Sequence, residues 1–250
     1  ATAAINLVAY SWGLKNVSAG DEIIITIAEH HANIVPWQLI AQQKGAKIIA
    51  AQVNPEEDFD AEIIKQLVTD KTKIIAFPHV SNVLGTVFPV KEICKIAKEC
   101  GAISVVDGCQ GIIHGTVDVK KLDCDFYCFS GHKLYGPTGI GVLYGKYEIL
   151  DEMPPFLGGG DMIDIVKINQ STYADPPLRF EAGTPPIVEA IALGEAIDWV
   201  VETGIDRIGK HEKNVISYGM SVLTSIDGVN IFGTAPNKTG VISFTMDCAH

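Results

Sequence analysis

One lysine, Lys133, stands in a glycine-rich stretch at residues 130–139, directly after an apolar run at residues 126–129. The apolar run predicts a buried strand, so we expect the amine to lie at a strand end with little access to water. Poor solvation lowers the pKa of a lysine and leaves a neutral amine that can attack a carbonyl carbon. Ser130 and His132 flank Lys133 with hydrogen-bond donors suited to an anion.

A second polar cluster ends another apolar run, where Asp107 closes residues 103–107. A lysine for a Schiff base and an aspartate for a pyridinium nitrogen are what a pyridoxal phosphate (PLP) site requires. Lys133 would form the Schiff base, and the charge of Asp107 would keep the ring nitrogen protonated. Taken singly, Lys133 could be an ordinary surface lysine and Asp107 a turn residue, cap or salt-bridge partner.

Polar residues follow two further predicted strands, and ligands of open parallel sheets bind beyond the carboxyl ends of the strands. His30, in the His30-His31 pair, is expected to stack on the cofactor ring and transfer protons, or else to be a hydrogen-bonded core histidine. Asn82 and Gln110 are candidate donors to the phenolic oxygen of the cofactor, or plain loop amides.

The cofactor phosphate needs hydroxyl, imidazole and backbone donors. Thr2, Ser130 and His132 are the candidates, with helix or turn caps as the alternative. Thr184, in the loop at residues 179–185, is a candidate phosphate ligand supplied across a dimer interface, or part of a structural crossover. We expect no metal site, because the six cysteines include no C-x-x-C pair.

The elements that position these residues alternate between strand and helix. Short Val/Ile-rich runs separated by amphipathic helices predict an α/β fold with a mostly parallel sheet covered on both faces. Strands are expected at residues 22–27, 47–53, 73–77, 103–107, 126–129 and 139–144, and helices at 33–43, 60–68, 90–100, 188–203 and 205–225. Between them, residues 153–186 predict a long irregular stretch.

The domain organisation is read from the same pattern. Residues 1–200 are expected to form a large cofactor-binding domain, and residues 201–250 the beginning of a smaller α+β domain. The first residue enters a helical pattern directly and the last strands begin a unit that stops at His250, so the chain is expected to be a fragment or ordered core of a longer enzyme.

Composition limits the class of protein. Of the 250 residues 47% are apolar and 20% are charged, which permits a sizeable core. The net charge of −11 argues against nucleic acid and anionic membranes as partners. The apolar runs are far shorter than the roughly 18 residues of a membrane span, and no secretory leader is visible. Scattered cysteines without a disulfide pattern indicate a cytoplasmic protein.

The chain resembles the cysteine desulfurases of the sulfur-mobilisation type and the allied selenocysteine lyases, within the class V aminotransferase group of fold-type I PLP enzymes. Five stretches carry the resemblance: residues 5–9, 29–37, 79–86, 123–141 and 179–185. The resemblance implies a seven-stranded type of sheet, a homodimer, L-cysteine or L-selenocysteine as substrate, and a sulfur-acceptor protein. It also implies the cofactor roles given above for Thr2, His30, Asn82, Asp107, Gln110, Ser130, His132, Lys133 and Thr184.

The implied function is conversion of L-cysteine to L-alanine, with sulfur passed to an enzyme-bound persulfide for iron–sulfur cluster assembly. Three departures from the family pattern matter. Ala3-Ala4 replace the usual Glu-Gly after the first threonine, and Cys109 replaces the usual alanine. The persulfide cysteine and the substrate-carboxylate arginine of the family would lie beyond His250. The alternatives are another class V lyase or transaminase, or a non-catalytic scaffold.

Overall fold

A central sheet of six strands organises the part of the chain that the computed structural model describes, residues 1–54 and 58–248. The strands are β1 (Glu22–Thr26), β2 (Lys47–Ala51), β3 (Thr72–Pro78), β4 (Ile103–Asp107), β5 (Phe126–Ser130) and β6 (Gly141–Gly145). Their order is β2-β1-β3-β4-β5-β6; the first five in sequence run parallel and β6 is antiparallel to β5. The predicted, mostly parallel sheet is confirmed. In the described residues it has six strands, one fewer than the seven that the family resemblance implies.

Helices cover both faces of this sheet, as the sequence pattern predicts. The α-helices of the described residues are α1 (Thr2–Leu7), α2 (Leu14–Asn16), α3 (Val35–Lys44), α4 (Ala61–Leu67), α5 (Val90–Cys100), α6 (Val119–Leu122), α7 (Tyr147–Glu152), α8 (Ile187–Thr203) and α9 (Ile205–Thr224); α8 and α9 pack against each other. A π-helical segment, Val8–Gly13, joins α1 to α2.

Alternation along the strands divides the core into two clusters. Ile23 and Ile74 pack with Trp37 of α3 on one face. Their neighbours Ile24 and Ile75 pack on the other face with α4 and α5. Because both faces are buried, the strands are apolar throughout instead of alternating with polar residues.

Capping residues mark the start of α4 and the end of α5, close to the predicted bounds of these helices. Asp60 accepts a hydrogen bond from the Glu62 backbone N–H at 2.9 Å and so caps α4. α5 ends at Gly101, whose φ of 75° lies in the left-handed region that favours glycine. The apolar stripe of α5 is buried, as its spacing predicts.

The expectation of a structureless stretch between residues 153 and 186 is wrong. An antiparallel hairpin of β7 (Ile163–Val166) and β8 (Ser171–Tyr173) lies there, followed by a 3₁₀ turn at Leu178–Phe180. The strands are short and carry few buried residues, so their apolar pattern was too weak to read.

After α9, the strands β9 (Val229–Phe232) and β10 (Ser243–Met246) pair antiparallel. The division at residue 200 stays a prediction, and His250 lies outside the described residues. Across residues 1–54 and 58–248, none of the helices is long and apolar enough to cross a membrane.

Candidate active site

The carboxyl ends of three parallel strands meet at one level of the sheet. Pro78 of β3 pairs with Asp107 of β4, which pairs with Cys128 of β5. Beyond these ends lies a narrow crevice, which brings together five residues predicted from the sequence. It is lined by Glu29, His30, Pro78, Val80, Asn82, Asp107, Cys109, Gln110 and Lys133.

Asp107 is the last residue of β4 and its position is fixed by backbone bonds. It is buried, with 6% of its surface exposed. Its Oδ1 accepts a hydrogen bond from the Cys109 N–H at 3.0 Å, and its carbonyl accepts one from the His79 N–H at 2.8 Å. These bonds hold the carboxyl group at the start of the turn that carries Gln110.

That turn, residues 108–111, rests against two aromatic rings. A Cβ on Gly108 would lie 2.0 Å from Tyr127 Cε1, and a Cβ on Gly111 would lie 2.3 Å from His79 Nδ1. His79 Nδ1 and the Tyr127 hydroxyl are 2.9 Å apart, within hydrogen-bond distance. Burial, then the charge of His114, lowers the pKa of His79 to about 4, so this imidazole is neutral at neutral pH.

Lys133 lies in a 3₁₀ turn, Gly131–Leu134, directly after β5. The turn is tight, because a Cβ on Gly131 would lie 2.9 Å from Ile140 Cγ2. Lys133 is half-buried at the crevice and retains some access to solvent. The structure places Lys133 after the strand end, as the sequence predicts, but with more access to water than the prediction of a poorly solvated amine implies.

His30 follows β1 and is exposed, with its ring at the crevice. Its Nδ1 accepts a hydrogen bond from the Ala32 N–H at 3.1 Å. Since a backbone amide only donates, this bond selects the neutral tautomer with its proton on Nε2. A stacking role requires an accessible ring, and His30 is exposed.

The four predicted phosphate ligands do not line the crevice. Thr2 and His132 are exposed, and Ser130 Oγ accepts a hydrogen bond from the amino group of Ala1 at 2.9 Å. Ser130 Oγ also lies 3.9 Å from the Cys109 Sγ, so this hydroxyl borders the crevice. Thr184 is exposed on its loop, and its predicted role across a dimer stays a prediction.

Sequence reasoning missed Glu29, a lining residue that is 6% exposed. Its Oε1 accepts a hydrogen bond from Asn33 Nδ2 at 2.8 Å, while its Oε2 has no partner. Burial, then the charge of Asp107, raises the pKa of Glu29 well above its usual value. The signal in the sequence was a glutamate between the β1 strand and His30, at a position that the fold buries.

The donor set of the crevice fits PLP. It offers an amine, a buried carboxylate for a ring nitrogen, an exposed imidazole for the ring face, and two amides for a phenolic oxygen. The buried Oε2 of Glu29 is a polar atom that finds no partner within the protein. Such an atom is expected beside a polar ligand.

Comparison with known proteins agrees with this chemistry. The family described as aminotransferase class-V matches residues 1–250. A probable cysteine desulfurase of Xylella fastidiosa (strain 9a5c) is 48% identical over 249 residues, covering 100% of this chain and 60% of the relative. A cysteine desulfurase of Salmonella newport (strain SL254) is 48% identical over 250 residues, with 61% of its length covered. The chain therefore spans about 60% of the length of these relatives.

Comparison with solved structures also finds a cysteine desulfurase and a protein with bound PLP. The cysteine desulfurase CsdA from Escherichia coli, in an S-sulfonic acid form, has a TM-score of 0.95 at 38% identity, covering 100% of this chain and 62% of the other. A variant of the protein C-DES with glycine covalently linked to PLP has a TM-score of 0.87 at 26% identity, covering 98% of this chain and 66% of the other.

Proposed function

Because the chain belongs to the class-V aminotransferase family, we propose that it carries the cofactor site of a PLP-dependent cysteine desulfurase. The proposed reaction converts L-cysteine to L-alanine and leaves the sulfur as a persulfide on the enzyme. The observation that supports it best is the crevice that places Lys133, Asp107 and His30 around one small volume. Relatives and structural neighbours named cysteine desulfurases support L-cysteine as the substrate.

When bound, PLP supplies an aldehyde carbon and a ring that withdraws electrons from a substrate amino acid. In our proposal Lys133 would hold the cofactor through Nζ, and its amine, once free, would accept the proton from the substrate Cα. Asp107 holds a proton on the ring nitrogen through its buried carboxylate. His30 would stack on the ring and transfer protons through Nε2, since its Nδ1 accepts from the Ala32 N–H.

The remaining roles in the proposal concern orientation. Asn82 and Gln110, which both line the crevice, would donate to the phenolic oxygen. Thr2, Ser130 and His132 bind the phosphate, joined by Thr184 from the other subunit of a homodimer. Ser130 supports this arrangement best, because its hydroxyl borders the crevice through Cys109.

The persulfide cysteine is a separate requirement. A nucleophilic cysteine needs an accessible thiolate. Burial raises the pKa of Cys94 to about 12, of Cys109 to about 11 and of Cys124 to about 12. The pKa of buried Cys128 is raised well above its usual value. These four thiols are therefore unsuited to the role, whereas Cys100 is half-buried and Cys248 is exposed. Following the family resemblance, we place the persulfide cysteine in the part of the relatives' length that this chain does not span.

We extend the proposal to the setting of the protein. The enzyme is a cytoplasmic homodimer that passes sulfur to an acceptor protein in iron–sulfur cluster assembly, and L-selenocysteine is a second substrate. A second candidate function is a C–S lyase, since a structural neighbour at 26% identity is described as a cystine C–S lyase in complex with cysteine persulfide. A non-catalytic scaffold is the third.

Product analysis separates the three. A protein that carries this chain and spans the full length of its relatives is incubated with L-cysteine or L-cystine, and alanine, sulfide and cysteine persulfide are quantified. Alanine from cysteine supports the desulfurase, and cysteine persulfide from cystine supports the lyase. Neither product, from a colourless but folded protein, would support the scaffold. Lys133→Ala should remove the product, while the control Lys91→Ala, at an exposed position of α5, should not.

A further inference from the structure

Glu29 is a buried acid in the candidate active site to which the proposed reaction gives no role. It lies three residues after the end of β1, precedes His30, and lines the crevice together with Asp107 and Lys133. Its Oε2 is buried and has no hydrogen-bond partner in the protein. An ionised carboxylate with an unpaired buried oxygen is costly, so the protonation state of Glu29 needs a physical account.

The hydrogen bonds of Glu29 determine which oxygen carries a proton. The Trp37 indole Nε1, which only donates, lies 2.9 Å from Asn33 Oδ1. This contact fixes the orientation of the Asn33 amide, so its Nδ2 must be the atom that donates to Glu29 Oε1 at 2.8 Å. Oε1 is therefore an acceptor, and a proton on Glu29 lies on Oε2.

The charges around Glu29 favour the protonated form. Two carboxyl groups in one buried crevice do not both ionise readily, because each charge repels the other in a medium that screens poorly. Asp107 raises the pKa of Glu29, after burial as the larger cause, whereas hydrogen bonds from Asn33 and the His30 backbone lower it without offsetting the rise. The other titratable groups facing this site are His30, Cys109, Cys128 and Lys133.

We propose that Glu29 is a positioning residue of the crevice, a neutral carboxylic acid with its proton on Oε2 that leaves Asp107 as the single carboxylate beside the cofactor. Burial and the neighbouring Asp107 favour its protonated form, and the chain Trp37–Asn33–Glu29 leaves Oε2 as the oxygen that carries the proton; neither depends on the cofactor. Its role toward the cofactor rests on the proposed function. A neutral Glu29 adds no second negative charge beside Asp107, the residue proposed to hold the proton of the ring nitrogen.

The test is the infrared C=O band of protonated carboxyl groups in the purified protein at neutral pH. It is recorded as the difference from a spectrum taken at a higher pH, where the group is ionised. The wild type should show the band, and Glu29→Gln, which keeps the acceptor and a donor of similar shape, should lose it. The control Glu195→Gln, at an exposed position of α8, should retain it. Absence of the band in the wild type, or its persistence in Glu29→Gln, would overturn the assignment.

A second variant keeps the test decisive should Glu29→Gln fail to fold. Asp107→Asn removes the neighbouring charge, so the pH at which the band disappears should fall relative to the wild type. An unchanged pH would contradict the proposed coupling. The visible absorption of bound cofactor is recorded on the same samples. A carboxyl band without cofactor absorption contradicts the proposed function alone, and cofactor absorption without the band contradicts only the role of Glu29.

Discussion

The Tyr127 hydroxyl and His79 Nδ1 lie 2.9 Å apart against the turn that leads from Asp107 to Gln110. Neither His79 nor Tyr127 lines the crevice. Their rings occupy the space that side chains at Gly108 and Gly111 would need. The turn can approach these rings closely only because both positions are glycine. The placement of Asp107 and Gln110 therefore depends on this aromatic pair.

The first prediction concerns that packing. Gly108→Ala would put a Cβ 2.0 Å from Tyr127 Cε1, so the turn or the ring must move. We expect a loss of about 1–3 kcal/mol in the free energy of unfolding, typical of overpacking, together with reduced cofactor content. Gly115→Ala is the matched control, because its Cβ would meet nothing within 4 Å. Equal cofactor content in the two variants would show that the turn does not depend on this contact.

The second prediction concerns acid stability. His79 has a folded-state pKa of about 4, below its unfolded value of about 6.5. The unfolded chain therefore gains a proton first as the pH falls, so stability present above pH 6.5 is lost between pH 6.5 and 4. Between pH 7 and 5 we expect His79 to account for up to about 2 kcal/mol of this loss.

Urea unfolding at pH 7 and pH 5 measures that contribution. His79→Gln should lose less stability than the wild type over this range. The control His211→Gln, at an exposed position of α9, should follow the wild type. A His79→Gln variant with the full wild-type loss would show that another group causes the acid dependence.

The third prediction concerns Cys109, which borders the crevice. Burial, then the charge of Asp107, raises the pKa of its thiol to about 11, so little thiolate is present at neutral pH. Cys109→Ala should therefore keep kcat/KM for L-cysteine within about twofold of the wild type. Persulfide detected on Cys109 by mass spectrometry, or a large loss of alanine formation in the variant, would make it the sulfur nucleophile instead.

The fourth prediction concerns the charge beside the ring nitrogen. Asp107→Asn keeps the shape of the side chain and its acceptor for the Cys109 N–H but removes the charge. We expect kcat to fall at least about a hundredfold, as on loss of an electrostatic stabiliser, while cofactor is retained. Asp198→Asn, at an exposed position of α8, controls for the change of net charge. Wild-type kcat in Asp107→Asn would remove this carboxylate from the mechanism.

The sequence predicted the sheet because its parallel strands are buried on both faces and appear as continuous apolar runs. It also predicted the convergence of His30, Asn82, Asp107, Gln110 and Lys133, because residues after parallel strands meet at one edge of a sheet. Both results follow from local pattern and general topology.

What the sequence did not predict depends on contacts between distant segments. The neutral carboxyl group proposed for Glu29 depends on Asn33, Trp37 and Asp107 being in place around it. The His79–Tyr127 pair joins residues 48 positions apart, and neither residue type signals the other. The hairpin at residues 163–173 was missed because its strands are short and mostly exposed.

The most direct test of the account is borohydride reduction of the purified, cofactor-loaded protein, followed by proteolysis and peptide mass spectrometry. Reduction should fix a pyridoxyl group on Lys133 and abolish the visible absorption band, and Lys133→Ala should show neither the label nor the band. The control Lys91→Ala should be labelled on Lys133 like the wild type. A loaded protein whose label falls on another lysine, or on none, would contradict the assignment of Lys133.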